Sequence, residues 1–274
     1  MSNLNHTWSY TEADSPIVMS VPHSGRELSD VVKQKLTGSA LSLVDTDWHM
    51  DTIVMEAAQT QASVLVAHYS RYMVDLNRPQ DDKPLYAGAT TGLVPSIDFD
   101  GNQLYLSGQG PDKRNVQLRV NEYWIGYHQK LRQIIDDTRN KFGFCLLLDC
   151  HSIRSKVPRL FDGTLPDINI GTNEGATAAN RLSERINDVC EQSKYSYVFN
   201  GRFKGGYITR HYGQPMEDVH AVQIEIAQHT YMLETAPWTM LPAKVTYLTA
   251  FVGKIVGEML GFAEELHTQG KVIK

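Results

Sequence analysis

The 274-residue sequence is poor in cysteine and contains no internal repeat and no low-complexity segment. Its three cysteines, Cys145, Cys150 and Cys190, include no CxxC pair. An odd count without such spacing argues against a disulfide framework, so we expect a protein of the reducing cytoplasm. The first sixteen residues carry neither a basic region nor an apolar run, and we therefore expect no signal peptide.

The sequence also lacks the motifs of several enzyme classes. No GxSxG, HExxH or GxxxxGK[ST] segment is present, which argues against serine hydrolases, HExxH metalloproteases and P-loop enzymes. A net charge of −5 argues against a nucleic-acid partner. We find no stretch that approaches the ~20 apolar residues of a membrane span, so we expect no membrane partner.

Apolar segments with strand character alternate with amphipathic segments along the chain. The predicted strands lie at 16–22, 62–70, 72–77, 144–152, 195–200 and 221–227, and the predicted helices at 29–37, 45–61, 115–141, 174–192 and 241–267. This alternation is typical of a mostly parallel sheet covered by helices on both faces. The segment 80–115 is rich in Gly, Asp and Pro and is predicted to be a long functional loop. Because no linker is recognisable, we predict one α/β domain over residues 1–274.

Polar side chains interrupt or follow four of the predicted strands, in "VPHSG", "VDLNRP", "LLDCHS" and "QIEIA". In open α/β sheets, ligands bind beyond the carboxyl ends of the strands. We therefore expect the polar residues of these four places to meet at one site. They are His23, Asn77, Arg78, Asp149, His151 and Glu225.

Two of these residues are candidate metal ligands. Two imidazoles and one carboxylate are a common ligand set for a zinc ion that activates water for hydrolysis. His23 and His151 are the candidate imidazoles, and the carboxylate is expected from Asp45, Asp47 or Asp51 at the start of the helix predicted from residue 45. These aspartates are equally consistent with N-capping of that helix. Asp149 could orient a neighbouring ligand.

Glu225 is flanked by Ile224 and Ile226 in a predicted strand. A carboxylate among apolar residues is costly unless it is paired or used. A desolvated glutamate beside activated water is a natural general base. The alternative is a strand residue that points outward to solvent. Cys150 beside His151 suggests a thiol nucleophile, but neighbours in a strand point to opposite faces.

The sequence resembles the N-formylglutamate amidohydrolase (N-formylglutamate deformylase) family from about residue 16 to 235. The resemblance rests on "VPHSG", "DTDWH", "YSRYMVDLNRP", "PLYAGATTGL", "DCHSIRSKVPRLFDG", "LPDINIGTN", "NGRFKGGYITRHYGQP" and "HAVQIEIAQHTYM", in that order. It implies hydrolysis of N-formyl-L-glutamate to L-glutamate and formate, the last step of a histidine-degradation route. The implied substrate is thus a small dicarboxylate amide.

The resemblance also implies a fold similar to zinc carboxypeptidases and aspartoacylases. This fold is a three-layer α/β/α domain of the zinc-exopeptidase type (phosphorylase/hydrolase-like). By motif, the site residues of that group correspond here to His23, Asn77–Arg78, His151 and Glu225. The peptidase pattern has an acidic ligand three residues after the first histidine, where this chain has Arg26.

The third metal ligand must therefore come from elsewhere in the chain. We choose Asp47, with Asp45 and His49 as the competing candidates. The expected cofactor is Zn²⁺ or another divalent metal. Glu225 is expected to deprotonate the attacking water and then to protonate the departing amine.

A substrate with two carboxylates requires at least two arginines in the pocket. Arg78 is the first candidate by motif, followed by Arg154 and Arg202, with Arg210 as a further alternative. The glycine-rich segment 201–206 is either a mobile loop over an anion or an ordinary turn.

Two further functions remain open at this point. One is a related amidohydrolase or carboxypeptidase that acts on another N-acyl amino acid. The other is a non-catalytic protein that binds an acidic ligand on the same fold. Glu225 together with both histidines favours an enzyme, because ligand binding alone needs no base.

Overall fold

In the computed structural model, which describes residues 2–4, 7–84 and 90–268, eight strands form one mixed sheet. The strands are β1 (Ser2–Leu4), β2 (Trp8–Thr11), β3 (Ile17–Val21), β4 (Ser63–Ala67), β5 (Cys145–Ile153), β6 (Ile168–Gly171), β7 (Tyr197–Phe199) and β8 (Val219–Ala227). Their order across the sheet is β1-β2-β4-β3-β5-β8-β6-β7. The central strands β4, β3, β5 and β8 are parallel, whereas β2 and β6 run antiparallel to their inner neighbours.

Seven α-helices lie within the same described residues. They are α1 (Asp30–Lys33), α2 (Met50–Ala58), α3 (Lys113–Arg119), α4 (Ile125–Phe142), α5 (Asn180–Glu191), α6 (Tyr207–Tyr212) and α7 (Pro242–Thr268). A single π-helical turn, Val120–Trp124, joins α3 to α4. Short 3₁₀ turns occur at Ala40–Ser42, Pro215–Glu217 and Gln228–Thr230.

Helices cover both faces of the sheet. Residues of α2, α5 and α7 form one apolar core with Leu146 and Leu148 of β5. Residues of α4 form the second core, on the opposite face, with Cys145 and Leu147. This alternation follows from the two-residue period of a strand that is buried on both sides. The predicted α/β fold with a mostly parallel mixed sheet is confirmed.

Several element predictions were wrong in detail. Segment 72–77 is not a strand; its backbone forms turns, and Asp75 N donates to Leu93 O (2.7 Å) rather than to a neighbouring strand. The helix predicted from residue 45 begins only at Met50, because the preceding turn is held by contacts with other segments. The short strands β1, β2 and β6 and the helix α6 were missed.

Helix α7 contradicts the expectation that no segment resembles a membrane span. By length and composition, Pro242–Thr268 is long and apolar enough to cross a membrane. Nine of its residues, from Leu248 to Leu266, are buried in the protein, where α7 packs against α2 and α5. Core packing therefore accounts for its apolar composition.

Candidate active site

His23, Asp47 and His151 lie together beyond the carboxyl end of β3. His23 follows β3, His151 lies in the last part of β5, and Asp47 lies in the turn before α2. This turn is fixed against the site because Asp47 N donates to His23 O (3.0 Å). All three side chains are buried, and one potential ligand atom from each lies within 4.8 Å of the others. The two imidazole centroids are 4.9 Å apart.

Each imidazole is held on its outer side by a buried carboxylate. His23 Nε2 lies 2.7 Å from Asp75 Oδ1, and His151 Nε2 lies 3.1 Å from Asp149 Oδ2. On the inner side, the Nδ1 atoms of His23 and His151 lie 3.9 and 3.2 Å from Asp47 Oδ2. A carboxylate at Nε2 favours the proton on that nitrogen and makes Nδ1 the candidate ligand atom; in the structure, Nδ1 of His23 contacts Arg71 Nη2 and Nδ1 of His151 contacts Asp47 Oδ2. Sequence reasoning anticipated this role for Asp149 but missed Asp75.

Buried carboxyl groups outnumber buried arginines at this site, which favours the binding of a further cation. Asp47, Asp75, Asp149 and Glu225 place four buried carboxyl groups around the imidazoles, and Arg71 is the buried cation among them. Burying carboxylates without compensating charge is unfavourable. The His–Asp–His group therefore has both the donor atoms and the surrounding negative charge to hold a divalent metal ion.

The pKa of the His151 imidazole reflects this negative charge. Burial lowers the pKa of His151, but the carboxylates of Asp149 and Asp47 outweigh burial and hold it well above its ordinary value. The pKa of His23 is lowered, because burial and the neighbouring Arg71 both oppose protonation. The surroundings of His151 therefore favour a positive charge at its imidazole, whereas the surroundings of His23 oppose one.

Glu225 faces this group from the neighbouring strand. It is paired in register with His151 across β5 and β8 and is only 7% exposed. Gln223 Nε2 donates to Glu225 Oε2 (3.2 Å). Burial raises the pKa of Glu225 to about 8. The outward-facing alternative is therefore wrong, and Glu225 is a buried carboxyl group beside the two imidazoles.

Arg71 is a residue of this site that the sequence reasoning missed. Its Nη2 donates to Asp47 Oδ1 (3.2 Å) and contacts His23 Nδ1. Its guanidinium lies 4.9 Å from the centroid of the Phe99 ring. The available signal was its position six residues before Asn77, between the two segments 62–70 and 72–77 that were read as strands.

A cavity of about 70 Å³ opens onto these groups. Its lining includes a polar set and an apolar set. The polar set is His23, Arg71, Asn77, Arg78, Thr90, Thr91, His151, Arg202, Gln223 and Glu225, and the apolar set is Phe99, Ile153, Leu160 and Phe203. The polar set contains both candidate metal-ligand histidines and the candidate base. One small polar molecule could thus contact the donor group, the base and two arginines together.

Asn77 is fixed by contacts on both of its amide atoms. Its Nδ2 donates to Asp149 Oδ2 (3.4 Å), and its Oδ1 accepts from Ile208 N (2.8 Å). Gly206 passes so close that a Cβ there would lie 2.3 Å from Asn77 Nδ2. Glycine is therefore required at the end of the 201–206 segment, for close packing against the site.

The candidate arginines differ in their surroundings. Arg78 is half-buried in the cavity wall, where Nε donates to Thr91 O (3.1 Å) and Nη2 to Thr90 Oγ1 (3.1 Å). Arg202 also lines the cavity, and its Nε donates to Leu160 O (2.7 Å). Arg154 is not among the lining residues and forms an ion pair with Asp100 (2.9 Å). Its substrate-binding role stays a prediction without support from this geometry.

The competing ligands Asp45 and His49 lie outside the donor group. Asp45 Oδ2 accepts from Phe99 N (2.9 Å), and burial raises the pKa of Asp45 to about 7. His49 Nε2 lies 2.7 Å from Trp238 O, on the other side of the turn. Asp51 pairs with Arg26 (3.2 Å). Asp47 is thus the acidic residue of this segment that the fold brings to the imidazoles.

Comparison with known proteins agrees with this geometry. Residues 15–232 match the model of the N-formylglutamate amidohydrolase family. The chain belongs to the N-formylglutamate amidohydrolase family. The family assignment made from the sequence is thereby confirmed.

Two curated relatives are bacterial N-formylglutamate deformylases. The Pseudomonas putida enzyme is 51% identical over 232 residues, which cover 84% of this chain and 87% of the relative. The Pseudomonas aeruginosa enzyme is 45% identical over 263 residues, which cover 96% and 99%. These relatives confirm the predicted class of enzyme, a hydrolase of the deformylase type.

Solved structures show the same fold at lower sequence identity. The N-formylglutamate amidohydrolase from Ralstonia eutropha JMP134 superposes with a TM-score of 0.80 at 21% identity, over 96% of this chain and 99% of that one. The Atu2144 gene product of Agrobacterium tumefaciens gives a TM-score of 0.71 at 16% identity, over 95% and 97%. The shared fold therefore extends over nearly the whole length of both solved structures.

Proposed function

We propose that this protein hydrolyses N-formyl-L-glutamate to L-glutamate and formate, as the last step of a histidine-degradation route in the cytoplasm. The observation that carries the proposal is that Glu225 lines the same cavity as His23 and His151, the two imidazoles of the donor group that Asp47 completes. The family relatives are deformylases, which supports formyl transfer to water as the reaction. The three free, buried cysteines agree with a reducing compartment.

The proposed cofactor is Zn²⁺, held by His23 Nδ1, His151 Nδ1 and the Asp47 carboxylate. Two imidazoles and a carboxylate are the ligand types of hydrolytic zinc sites. When bound, such an ion supplies Lewis acidity, which polarises a carbonyl group and lowers the pKa of water to about 7. Asp75 and Asp149 fix the orientation of the two imidazoles through their Nε2 atoms.

Glu225 is the proposed proton carrier of the reaction. Its carboxylate takes a proton from the water that adds to the formyl carbon. The same carboxyl group then gives the proton to the amine nitrogen when the C–N bond breaks. Arg71 lies beside His23 and Asp47 in the cavity and is placed to stabilise negative charge on the formyl oxygen during this addition.

Arg78 and Arg202 are the proposed partners of the two substrate carboxylates. Both line the cavity and both are half-buried, which strengthens a charge-assisted hydrogen bond relative to one in open water. In Arg78, Nη1 donates one N–H to Asn77 O, and Nη2 donates one N–H to Thr90 Oγ1. Each of these nitrogens carries a second N–H. Arg78 can therefore bind a carboxylate with two parallel hydrogen bonds.

A substrate panel tests this function. Purified protein should release formate from N-formyl-L-glutamate with a kcat/KM at least tenfold above its value for N-acetyl-L-aspartate or for a dipeptide. A preference for either of those compounds would support the related amidohydrolase instead. Tight binding of N-formyl-L-glutamate without any release of formate would support a binding protein.

Metal analysis tests the proposed ligand set. We expect about one Zn²⁺ per chain, loss of activity on chelation, and recovery when Zn²⁺ is added back. His23→Ala should abolish stoichiometric metal binding, because it removes one of three donors. His49→Ala is the matched control: this histidine lies in the same segment as Asp47 but contacts Trp238 O, and its loss should leave the metal content unchanged. Equal metal content in both variants would refute the ligand set.

A further inference from the structure

The segment 71–78 carries four residues of the site but has no regular secondary structure. Arg71, Asp75, Asn77 and Arg78 all lie within it. A segment without a ladder of backbone hydrogen bonds must have its carbonyl groups bonded in another way if its side chains are to be held in place. The partners of these carbonyl groups therefore determine how precisely the four side chains are positioned.

Three side chains supply donors to these carbonyl groups. Arg119 Nη1 donates to Tyr72 O and to Met73 O (3.2 Å each). The other two donors are His128 Nε2, which lies 2.9 Å from Leu76 O, and Trp124 Nε1, which donates to Arg78 O (2.9 Å). All three donor residues are buried, at 4–6% exposure.

The three donors lie on one continuous helical stretch, with Arg119 at the end of α3, Trp124 at the end of the π turn and His128 on α4. Arg119 and Trp124 are five residues apart, which in a continuous α-helix of 3.6 residues per turn would separate them by about 140° around the axis. In the π turn, the cap N–H of Ile125 bonds to Val120 O, five residues earlier. Residues five apart then lie one above the other, and His128 follows Trp124 at the four-residue spacing of an α-helix.

We propose that the π turn at Val120–Trp124 aligns Arg119, Trp124 and His128 as positioning residues, which hold the 72–78 backbone and thereby set the geometry of Asp75, Asn77 and Arg78. None of the three touches the cavity. The three residues act on the reaction through the segment that they hold. The expected change in KM rests on the proposed function of Arg78 in substrate binding.

The surroundings of the donors support a fixed orientation. The His128 and Trp124 ring centroids are 3.8 Å apart, and Tyr212 OH lies 3.0 Å from His128 Nδ1. Burial lowers the pKa of His128 to about 3, so that the ring stays neutral. With Nδ1 accepting from Tyr212, the remaining N–H on Nε2 is directed to Leu76 O.

The first test removes one donor and keeps an aromatic ring at the position. Trp124→Phe should raise KM for N-formyl-L-glutamate about three- to tenfold with kcat within twofold, because the Arg78 backbone loses one hydrogen bond. Trp8→Phe is the matched control, since the Trp8 Nε1 has no hydrogen-bond partner among the described residues. An unchanged KM in Trp124→Phe, or the same rise in Trp8→Phe, would overturn the proposal.

A second readout does not depend on catalysis. Hydrogen exchange of the 72–78 amides should become faster in Trp124→Phe and stay unchanged in Trp8→Phe, with the rest of the protein alike. This result is expected even if the wild-type protein releases no formate, which separates failure of the positioning proposal from failure of the proposed function. Unaltered exchange of these amides in Trp124→Phe would refute the proposal.

A third variant addresses the π turn itself. Insertion of one alanine after the exposed Asn121 should put Arg119 and Trp124 six residues apart and rotate Arg119 away from Trp124, with a loss of at least about tenfold in kcat/KM. Asn121→Ala keeps the turn and should retain full activity. Full activity of a folded insertion variant would overturn the proposal. If that variant does not fold, the KM and hydrogen-exchange results for Trp124→Phe test the proposal by themselves.

Discussion

The two halves of strand β5 are buried to the same degree but differ in chemistry. Cys145 through Leu148 are apolar and fully buried, and Asp149 through Ser152 are at most 2% exposed although three of those four residues are polar. In the first half, side chains pack into the two cores. In the second half, each polar side chain has specific partners.

The partners of the second half come from distant parts of the chain. Asp149 accepts from Ser20 Oγ (3.2 Å) and from Thr209 Oγ1 (3.3 Å), while Ser152 Oγ lies 2.8 Å from Tyr231 OH. Cys150 points to the opposite face, into the apolar core, where burial raises the pKa of its thiol well above the ordinary value. This placement excludes the thiol nucleophile that its position beside His151 suggested. Burial alone therefore does not distinguish core from site, but the partners of the buried groups do.

The largest expected effect concerns Glu225 on β8, the strand next to β5. Glu225→Gln should lower kcat for formate release by about 10²- to 10⁴-fold, because the amide cannot accept the proton. Metal content and thermal unfolding should remain near wild type. Glu217→Gln is the control, since Glu217 is exposed and pairs only loosely with Arg139 (3.8 Å). Unchanged formate release in Glu225→Gln would mean that another group is the base.

The first half of β5 should affect stability and not catalysis. Leu148→Ala should lower the free energy of unfolding by about 2–5 kcal/mol, because it leaves a cavity in a fully buried core. At temperatures where the variant is folded, its kcat/KM should match wild type, because Leu148 faces away from the cavity. Urea unfolding measures the loss, with the exposed Leu118→Ala as a control that should change little. A large fall in kcat/KM in Leu148→Ala would contradict the expected difference between the two halves of β5.

The second half should show the opposite behaviour. Asp149→Asn should weaken metal affinity or activity about 10- to 100-fold, because the carboxylate that orients His151 through Nε2 is lost. Competition with a chelator measures the affinity. Asp188→Asn, at an exposed position on α5, serves as the charge-matched control. Wild-type metal affinity in Asp149→Asn would show that Asp149 only supports the fold.

The smallest expected effect concerns the residue behind Asp149. Ser20→Ala removes the hydroxyl that contacts both Asp149 Oδ1 and Tyr127 OH (3.0 Å). We expect the free energy of unfolding to fall by about 1 kcal/mol, the usual net value of one hydrogen bond. The loss of kcat/KM should be smaller than in Asp149→Asn. A larger loss would indicate that the orientation of His151 depends on Ser20 as well.

Much of the fold and part of the site could be predicted from local patterns. Apolar runs identified β3, β4, β5 and β8, and the 3.6-residue period identified α4, α5 and α7. The choice of His23 and His151 as partners followed from polar residues at strand ends, and these two do meet. The segment 72–77 was misread as a strand because its apolar residues fit that pattern, whereas its backbone groups bond to Leu93 O and to side chains of Arg119 and His128 and not to a neighbouring strand.

The sequence by itself determined the fold class, the family and the chemical types available at the site. These follow from periodicity and from long family motifs, which are local properties of the chain. Only the tertiary structure selected Asp47 over Asp45 and His49, and only it brought Arg71 and Asp75 to His23. The physical reason is that these choices depend on the direction of side chains in irregular turns, which contacts between distant segments fix.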